Sequence, residues 1–336
     1  MKAITYSQTG PASVLQDTDI AKPAPGPRDL LVAVKAVSVN PVDALVRKNV
    51  APAPGEQKIL GFDAAGVVEA VGPGVTLFKV GDAVYYSGVI GRPGTNAEFH
   101  LVDERVVGRK PATLSFGDAA ALPLTALTAW ELLFERLAVP SGAKHTGDSL
   151  LVINGAGGVG SILVQLARRL TSLNVIATAS RPETVDWVKK MGAHHVVNHH
   201  EPLDTALAGI GIANVKYVAG LTATSKQMPA IARLIAPQGR LAVIDDGALD
   251  IEQLKPKSVT VSWEMIFTRT LFDTPDMQEQ HRILTEVAAL VDAGLLVTTA
   301  TKQGGTINAA NLVLAHQDIE TGASIGKTVL VGFGAT

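Results

Sequence analysis

A glycine-rich segment is the part of this 336-residue sequence whose chemistry is most specific. Residues 155–160 run Gly-Ala-Gly-Gly-Val-Gly, which fits the pattern G-x-G-x-x-G. The segment follows a short apolar stretch, Leu150–Asn154, and precedes apolar residues at helical spacing. Glycines at such a strand-to-helix turn let a dinucleotide pyrophosphate approach the backbone N–H groups of the helix N-terminus. We predict a dinucleotide site here, the alternative being a tight turn without a ligand. Its predicted contacts are Gly155, Gly157, Gly158 and Val159.

The pair Ser180-Arg181 stands where the dinucleotide pattern usually carries an acidic residue, about 20 residues beyond the loop. An acidic residue there would accept a hydrogen bond from the ribose 2′-hydroxyl and repel a 2′-phosphate. A hydroxyl and a guanidinium can instead bind that phosphate. The pair therefore predicts NADPH, the alternative being a solvated Arg181 and NADH.

Four of the eight histidines lie close together, at positions 194, 195, 199 and 200, and raise the question of a metal site. They fall across one short predicted strand and its exit, where alternate side chains point to opposite faces. The sequence has no cysteine to complete a zinc site and no HExxH motif. We therefore expect no metal.

The elements around the loop predict an α/β fold with a doubly wound parallel sheet. From residue 123 to 267, strand and helix patterns alternate and supply six strands, the number in a doubly wound dinucleotide-binding domain. One helix is predicted around Met228–Ile235, closed by Pro237 and Gly239. Residues 1–122 are rich in glycine, proline and short apolar strands, and residues 268–336 hold two amphipathic helices and a final strand. We expect these two end segments to form one discontinuous domain.

Composition excludes several classes of protein. Hydrophobic residues make up 47% of the chain and charged residues 18%, so intrinsic disorder is excluded. A net charge of -2 gives no general attraction to nucleic acid. No signal-peptide pattern and no uncharged apolar run of membrane-spanning length is present. We expect a soluble, cytoplasmic protein that binds neither nucleic acid nor membrane.

Several blocks together resemble the medium-chain dehydrogenase/reductase superfamily. They are Ser38–Arg47, Gly61–Tyr86, Leu122–Trp130, the glycine loop and the closing segment Gly322–Phe333. Within the superfamily the chain looks like the zinc-free quinone oxidoreductase or zeta-crystallin branch, close to proteins labelled zinc-type alcohol dehydrogenase-like. The resemblance implies a Rossmann NADPH-binding domain at residues 123–267. It also implies a mainly β, GroES-like catalytic domain at 1–122 and 268–336.

The same resemblance implies that no zinc is bound. Zinc alcohol dehydrogenases have Gly-His-Glu where this chain has Gly61-Phe62-Asp63. They have cysteines at the positions matching Asn40 and approximately Leu124. The four-cysteine structural lobe of those enzymes is absent as well.

The residues that the resemblance assigns to a nicotinamide cofactor come from both predicted domains. It implies a pocket between the domains, with Asn40 and Thr128 near the nicotinamide and Ser180 with Arg181 at the 2′-phosphate. Two residue pairs at strand ends and one lysine complete the implied set: Leu221, Thr222, Ile244, Asp245 and Lys327.

A site without a metal favours acceptors that delocalise the incoming charge. A quinone or an α,β-unsaturated carbonyl accepts hydride and then needs only hydrogen-bond donors at its oxygen, which Asn40 and Thr128 could supply. Candidate substrate contacts are Leu45, Phe62 and Tyr86, with Tyr86 or Tyr85 as a candidate proton donor. Related quinone reductases often have a tyrosine at the position of Leu45. Asp43 is expected to cap its own loop.

Two other functions remain open at this point. One is a non-catalytic, crystallin-like or redox-sensing NADPH-binding protein, and the other is a Rossmann methyltransferase. The first half of the chain, which resembles a reductase, argues against the methyltransferase. We also predict that Ser258–Trp263 is an unprotected edge strand through which two copies form a homodimer.

Overall fold

The computed structural model describes residues 1–142 and 147–334. The chain divides into two compact units. The first comprises Met1–Leu127 and Phe267–Thr336, and the second comprises Thr128–Ile266. The sequence-based prediction placed these divisions after residues 122 and 267. Both ends of the chain therefore contribute to the first unit.

The first unit is built on two sheets, whose strands are numbered along the whole chain. The strands are β1 (Lys2–Tyr6), β2 (Gln16–Asp19), β3 (Asp29–Ser38), β4 (Lys58–Ile59), β5 (Asp63–Val71), β6 (Ala83–Ser87), β7 (Phe99–Asp103), β8 (Val107–Arg109), β15 (Ala300–Gln303) and β16 (Lys327–Val331). A three-stranded sheet has the order β2-β1-β4. A seven-stranded sheet has the order β15-β16-β3-β5-β6-β8, with β7 also paired to β3. Strand β3 is buried along most of its length and pairs antiparallel with β5, β7 and β16.

Helices of the first unit surround these sheets. They are α1 (Pro41–Asn49), α2 (Phe116–Ala120), α8 (Thr268–Leu271), α9 (Glu279–Asp292) and α10 (Ala309–Glu320). Helix α3 (Pro123–Trp130) contains the division between the units, and 3₁₀ turns lie at Ala12–Val14 and Glu104–Val106. Helix α1 begins directly after Asn40, with a proline at its first position, where the missing N–H costs no hydrogen bond.

The second unit holds one parallel sheet of six strands, which confirms the predicted Rossmann architecture. The strands are β9 (Ser149–Ile153), β10 (Asn174–Thr178), β11 (His195–Val197), β12 (Val215–Gly220), β13 (Ile235–Val243) and β14 (Thr260–Trp263). Their order is β11-β10-β9-β12-β13-β14, the 3-2-1-4-5-6 order of a doubly wound dinucleotide-binding sheet. Strand β9 is buried along its whole length, as expected for a central parallel strand. The predicted edge strand is confirmed as β14, which pairs only with β13.

The connections of the second unit are helical. They are a π-helical segment (Glu131–Arg136), α4 (Gly158–Leu170), α5 (Pro182–Met191), α6 (Leu203–Ala208), α7 (Thr224–Leu234) and a 3₁₀ segment (Ile251–Lys257). No helix in the described part of the chain is long and apolar enough to cross a membrane.

The helix predicted around Met228–Ile235 is present, but the closing turn predicted at Pro237 and Gly239 is wrong. Helix α7 ends at Leu234, and Pro237 and Gly239 lie inside β13. The pairing with β12 shifts register between Ile235 and Arg240, and Gln238 has a positive φ of 57°. The proline and glycine therefore form an irregular turn within the strand. Local turn signals do not distinguish a helix end from a bulge, because neighbouring strands decide which residues remain paired.

Candidate functional site

The glycine loop joins β9 to α4 through a tight turn. Asn154 has a φ of 65°, and its N–H donates to Thr178 Oγ1 at 2.9 Å. A Cβ on Gly155 would lie 2.7 Å from the Cβ of Ala177, and one on Gly160 would lie 2.4 Å from the Asn154 carbonyl oxygen. These two glycines are therefore required by packing between loop, strand and helix.

Gly157 differs from its neighbours in what surrounds it. The nearest atom to a Cβ on Gly157 would be Asn154 Nδ2, at 3.2 Å, the end of a side chain. Gly157 is the residue before the first turn of α4, where backbone N–H groups have no helical partner. The loop thus fits a pyrophosphate, bound by the first N–H groups of a 13-residue helix.

Ser180 and Arg181 follow β10 and precede α5. Ser180 is half-buried, and Arg181 is the residue before the first turn of α5. The Arg181 side chain is 40% exposed, and its Nε lies 3.0 Å from Glu183 Oε1. A guanidinium at this surface position fits a 2′-phosphate, and its assignment to one stays a prediction.

The strand-end residues of the second unit lie together at the carboxyl edge of the sheet, after β12 and β13. Thr222 Oγ1 accepts from Asn154 Nδ2 at 3.1 Å, which connects the end of β12 to the glycine loop. Asp245 accepts from Thr224 N–H at 2.9 Å and from Thr224 Oγ1 at 2.5 Å, so its carboxylate caps α7. Leu221 and Ile244 border the same edge.

Asn154 was missed by sequence reasoning. It contributes both the positive φ of the loop and the bond to Thr222. A signal was available in its residue type and position, because asparagine tolerates left-handed backbone and stands directly before the loop.

A second constellation, in the first unit, is a fully buried polar cluster around Asp63, the first residue of β5. Four donors meet on this one carboxylate. Oδ2 accepts from Ser38 Oγ at 2.8 Å, from Asn40 Nδ2 at 2.7 Å and from Lys327 Nζ at 3.0 Å. Oδ1 accepts from the Leu124 N–H at 2.8 Å. The carboxylate joins the end of β3 and the starts of β5, β16 and α3.

The ammonium of Lys327 is saturated by this cluster. Besides Asp63 it donates to the Val39 carbonyl at 2.8 Å and to Asn40 Oδ1. An ammonium has three N–H groups, and all three have acceptors here. The side chain is also buried. These acceptors leave no N–H group of Lys327 for the expected contact with a cofactor. Sequence position alone could not show that the side chain faces the protein interior.

Asp43 lies beside this cluster and is equally buried. Its carboxylate accepts from the Asn40 N–H at 2.8 Å and from the Gly61 N–H at 3.0 Å. The predicted capping role is thus confirmed, with a second bond to Gly61 that sequence reasoning missed. Burial raises the pKa of Asp43 to about 7, while the two N–H donors and Lys327 act in the opposite direction.

The structure contradicts the candidate roles of Tyr86 and Tyr85. Both side chains are buried in the first unit, and burial raises the pKa of each hydroxyl. Tyr86 bonds to His100 Nδ1 at 3.1 Å and stacks on the same ring, and Tyr85 donates to the Leu284 carbonyl at 2.5 Å. Alternation along β6 could not reveal this, because both faces of the strand are covered. Tyr86 is thus packed in the core of the first unit.

The two other candidate substrate residues have different environments. Leu45 lies on α1 and is 49% exposed. Phe62 is buried, with its ring centroid 5.3 Å from that of Phe267. Phe267 was not identified from sequence, where no motif marks it. Thr128 is buried on α3, in the second unit.

The side chains at the positions of zinc ligands do not fit zinc. Phe62 and Leu124 carry hydrocarbon side chains, and zinc takes nitrogen, sulfur or carboxylate ligands. Asn40 has its amide oxygen against the Lys327 ammonium. Within the described ranges, no group of three or more His, Asp or Glu side chains could hold a metal ion. His194 Nδ1 accepts from the Val175 N–H at 2.9 Å, and the rings of His199 and His200 lie 4.5 Å apart.

Comparison with known proteins covers both units. The family model of the alcohol dehydrogenase GroES-like domain matches residues 26–112, and that of zinc-binding dehydrogenases matches residues 158–286. A zinc-type alcohol dehydrogenase-like protein of Staphylococcus aureus strain MSSA476 is 42% identical over 313 residues, 92% of each chain. The quinone oxidoreductase of Rattus norvegicus is 30% identical over 337 residues, 98% of each chain.

Solved structures show the same extent of similarity. A Rhizobium etli CFN 42 protein, provisionally assigned as a zinc-dependent alcohol dehydrogenase, has a TM-score of 0.96 and 54% identity over 100% of this chain and 99% of that one. A mycobacterial protein in complex with NADPH has a TM-score of 0.83 and 28% identity over 98% of this chain and 99% of that one. The similarity thus extends along nearly the whole chain.

Proposed function

Because the chain belongs to the medium-chain dehydrogenase/reductase superfamily, in its quinone oxidoreductase-like branch, we propose that it reduces a quinone or an α,β-unsaturated carbonyl with NADPH, without zinc. The observation that carries this proposal is the side-chain chemistry at the zinc-ligand positions. Phe62 and Leu124 cannot bind a metal, and Asn40 belongs to the Asp63–Lys327 cluster. The glycine loop, in contrast, is complete.

The second unit supplies the proposed cofactor site. When bound, NADPH supplies the hydride. The N–H groups at the start of α4 bind the pyrophosphate, and the absence of a side chain at Gly157 lets it approach the backbone. Ser180 and Arg181 bind the 2′-phosphate, and no carboxylate occupies either of these two positions to oppose it. A relative that forms a complex with NADPH supports this choice of cofactor.

The first unit supplies the proposed contacts to the acceptor. Without a Lewis acid, negative charge that develops on a carbonyl oxygen has to be spread by conjugation and bound by hydrogen-bond donors. Asn40 is the proposed donor of this unit, and Thr128 is that of the second unit. Phe62 and Leu45 are the proposed apolar contacts. Tyr86 is not part of the proposed site, because its side chain is buried in the core of the first unit.

Titration of the protein with NADPH and with NADH tests the cofactor. Oxidation of NADPH in the presence of 1,4-benzoquinone, 2-cyclohexen-1-one or a simple aldehyde then tests the reaction. We expect tighter binding of NADPH, and turnover with the quinone or the enone but not with the aldehyde. Tight binding without turnover on any acceptor would instead favour a non-catalytic NADPH-binding protein.

A further inference from the structure

The amide of Asn40 has a single possible orientation. Its Oδ1 accepts from the Lys327 ammonium, and its Nδ2 donates to Asp63 Oδ2 at 2.7 Å. A flipped amide would place its NH₂ group against a cation and its oxygen against a carboxylate, so two favourable contacts would become repulsive. Opposite charges on the two sides of the group thus fix which edge carries the hydrogens.

This orientation leaves one hydrogen of Nδ2 without an acceptor. The amide has two N–H groups, and Asp63 is the one acceptor within hydrogen-bonding distance of Nδ2 in the described part of the protein. Asn40 is 1% exposed, so this hydrogen is also withheld from water. A buried donor without a partner is costly, and a catalytic role is one of the few physical reasons for keeping one.

The cation on Oδ1 strengthens that donor. An ammonium at the carbonyl edge of an amide draws electron density towards oxygen and leaves the N–H edge more positive. Hydrogen bonds in series polarise one another in this way, and the effect is larger in a buried site of low dielectric constant. Lys327 and Asp63 are both buried, so solvent does not screen the pair.

We propose that Lys327 is a positioning residue, which with Asp63 fixes the orientation of Asn40 and through its charge on Oδ1 polarises the amide, so that the remaining N–H binds the oxygen of a conjugated acceptor. This inference rests on the proposed function. In that reaction, hydride adds to the β-carbon of the enone, the C=C electron pair moves to form the enolate, and NADPH becomes NADP⁺. The Asn40 N–H binds the enolate oxygen until a solvent proton is added to carbon. Because Asn40 is buried, the groups that cover it have to move when the acceptor binds.

Binding of a planar oxyanion tests the inference independently of turnover. The probe is 4-nitrophenolate, titrated by its absorbance into the full-length protein, with and without saturating NADP⁺, at a pH where the phenol is ionised. The variants are Lys327→Met and the double variant Asp63→Asn/Lys327→Met, which leaves no unpaired buried charge if the single variant fails to fold. Lys302→Met is the matched control, because Lys302 is an exposed lysine in the neighbouring strand β15.

We expect the wild type and Lys302→Met to bind the probe, and the Lys327 variants to bind it at least about tenfold more weakly, by analogy with the loss of an oxyanion donor. The dissociation constant of NADP⁺ should change less than about twofold in these variants. The rate of single-turnover hydride transfer to 2-cyclohexen-1-one should fall in the variants that bind the probe more weakly. The inference is overturned if the wild type does not bind the probe. It is also overturned if the Lys327 variants bind NADP⁺ more weakly but bind the probe as the wild type does. Lack of turnover by a wild type that binds the probe refutes the proposed function alone.

Discussion

At the scale of single residues, the first unit buries more carboxyl groups than cations around Asp63. Two carboxylates, Asp43 and Asp63, lie in the interior near one cation, Lys327. Asp63 takes the direct ion pair, whereas Asp43 is held by two backbone N–H groups. Burial of the Asp43 carboxyl is thus not offset by a direct ion pair, which agrees with its raised pKa.

Replacement of Asp43 tests this balance. A carboxyl whose pKa rises on folding from about 4 to about 7 stabilises the fold most below about pH 4, and that contribution is lost as the pH rises towards 7. We expect the stability of the wild type relative to Asp43→Asn to fall over this range, by up to about 1.4 kcal/mol per pH unit. Urea unfolding of both proteins at several pH values measures this difference in the free energy of unfolding.

Asp186→Asn, on exposed surface, is the control for that experiment. Its stability relative to the wild type should follow a different course, without the decline expected for Asp43. A stability difference that grows with pH at Asp43 would show that the carboxyl is ionised in the folded protein and would contradict the prediction.

Arg181 is the residue that we propose discriminates between the two nicotinamide cofactors. We expect Arg181→Ala to weaken NADPH binding by roughly 10- to 100-fold, the loss of a charge-assisted hydrogen bond of about 1.5–3 kcal/mol, and to leave NADH binding unchanged. Lys189→Ala removes the same charge from an exposed position on α5 and should change neither. Calorimetric titration of the wild type and both variants with each cofactor measures the six dissociation constants. Equal loss for both cofactors would exclude a specific contact with the 2′-phosphate.

At the scale of elements, the turn from β9 to α4 separates packing from binding. Gly155 and Gly160 are confined by atoms less than 3.0 Å from the position of an added Cβ, whereas the nearest atom at Gly157 is the end of the Asn154 side chain, at 3.2 Å. The three glycines of this motif are therefore needed for different physical reasons, two for packing and one for the approach of a ligand to the backbone. The same division of roles is general in this kind of loop.

Alanine substitutions can distinguish the glycine required for packing from the glycine required for cofactor binding. In Gly160→Ala the new methyl would lie 2.4 Å from the Asn154 carbonyl oxygen, so the backbone has to shift. We expect a loss of about 1–3 kcal/mol in stability, together with weaker cofactor binding. Gly157→Ala should lose less stability, because its φ of -69° suits alanine and its one close neighbour, Asn154 Nδ2 at 3.2 Å, ends a side chain that can shift. It should still lose cofactor affinity. Thermal unfolding and NADPH titration of both variants check this, and equal stability losses would contradict it.

At the scale of the whole molecule, the open edge of the six-stranded sheet is the surface we propose for dimerisation. Among the described residues, strand β14 pairs with β13 alone, and its last residue, Trp263, is 57% exposed. An unpaired edge with an exposed aromatic residue favours pairing with a second copy about a two-fold axis.

Two aromatic-to-glutamate variants test this surface. Trp263→Glu replaces the exposed aromatic ring at the proposed interface by a charge that dimerisation would bury, and it is expected to give a monomer by light scattering at micromolar concentration. Phe272→Glu changes the first unit at a residue that is 74% exposed, and it should leave the dimer intact. A monomeric wild type, or a dimer in both variants, would refute the proposed interface.

Local sequence determined the features that depend on neighbouring residues or on residue type alone. The glycine loop, the alternation that builds six parallel strands and the edge position of β14 are confirmed in the structure. The inability of Phe62 and Leu124 to bind a metal follows from their side chains, whatever the fold. These predictions were possible because periodicity, turn chemistry and ligand chemistry act over short distances along the chain.

The tertiary structure decided the partners of the polar side chains. Lys327 reaches Asp63 across 264 residues of sequence, and Tyr85 reaches Leu284 across 199. The choice between cofactor, core and cap for Lys327, Tyr86 and Asp245 depends on which strands and helices lie against them. No local pattern contains that information, because a polar group buried by folding takes whichever partner the packing of distant segments brings within hydrogen-bonding distance.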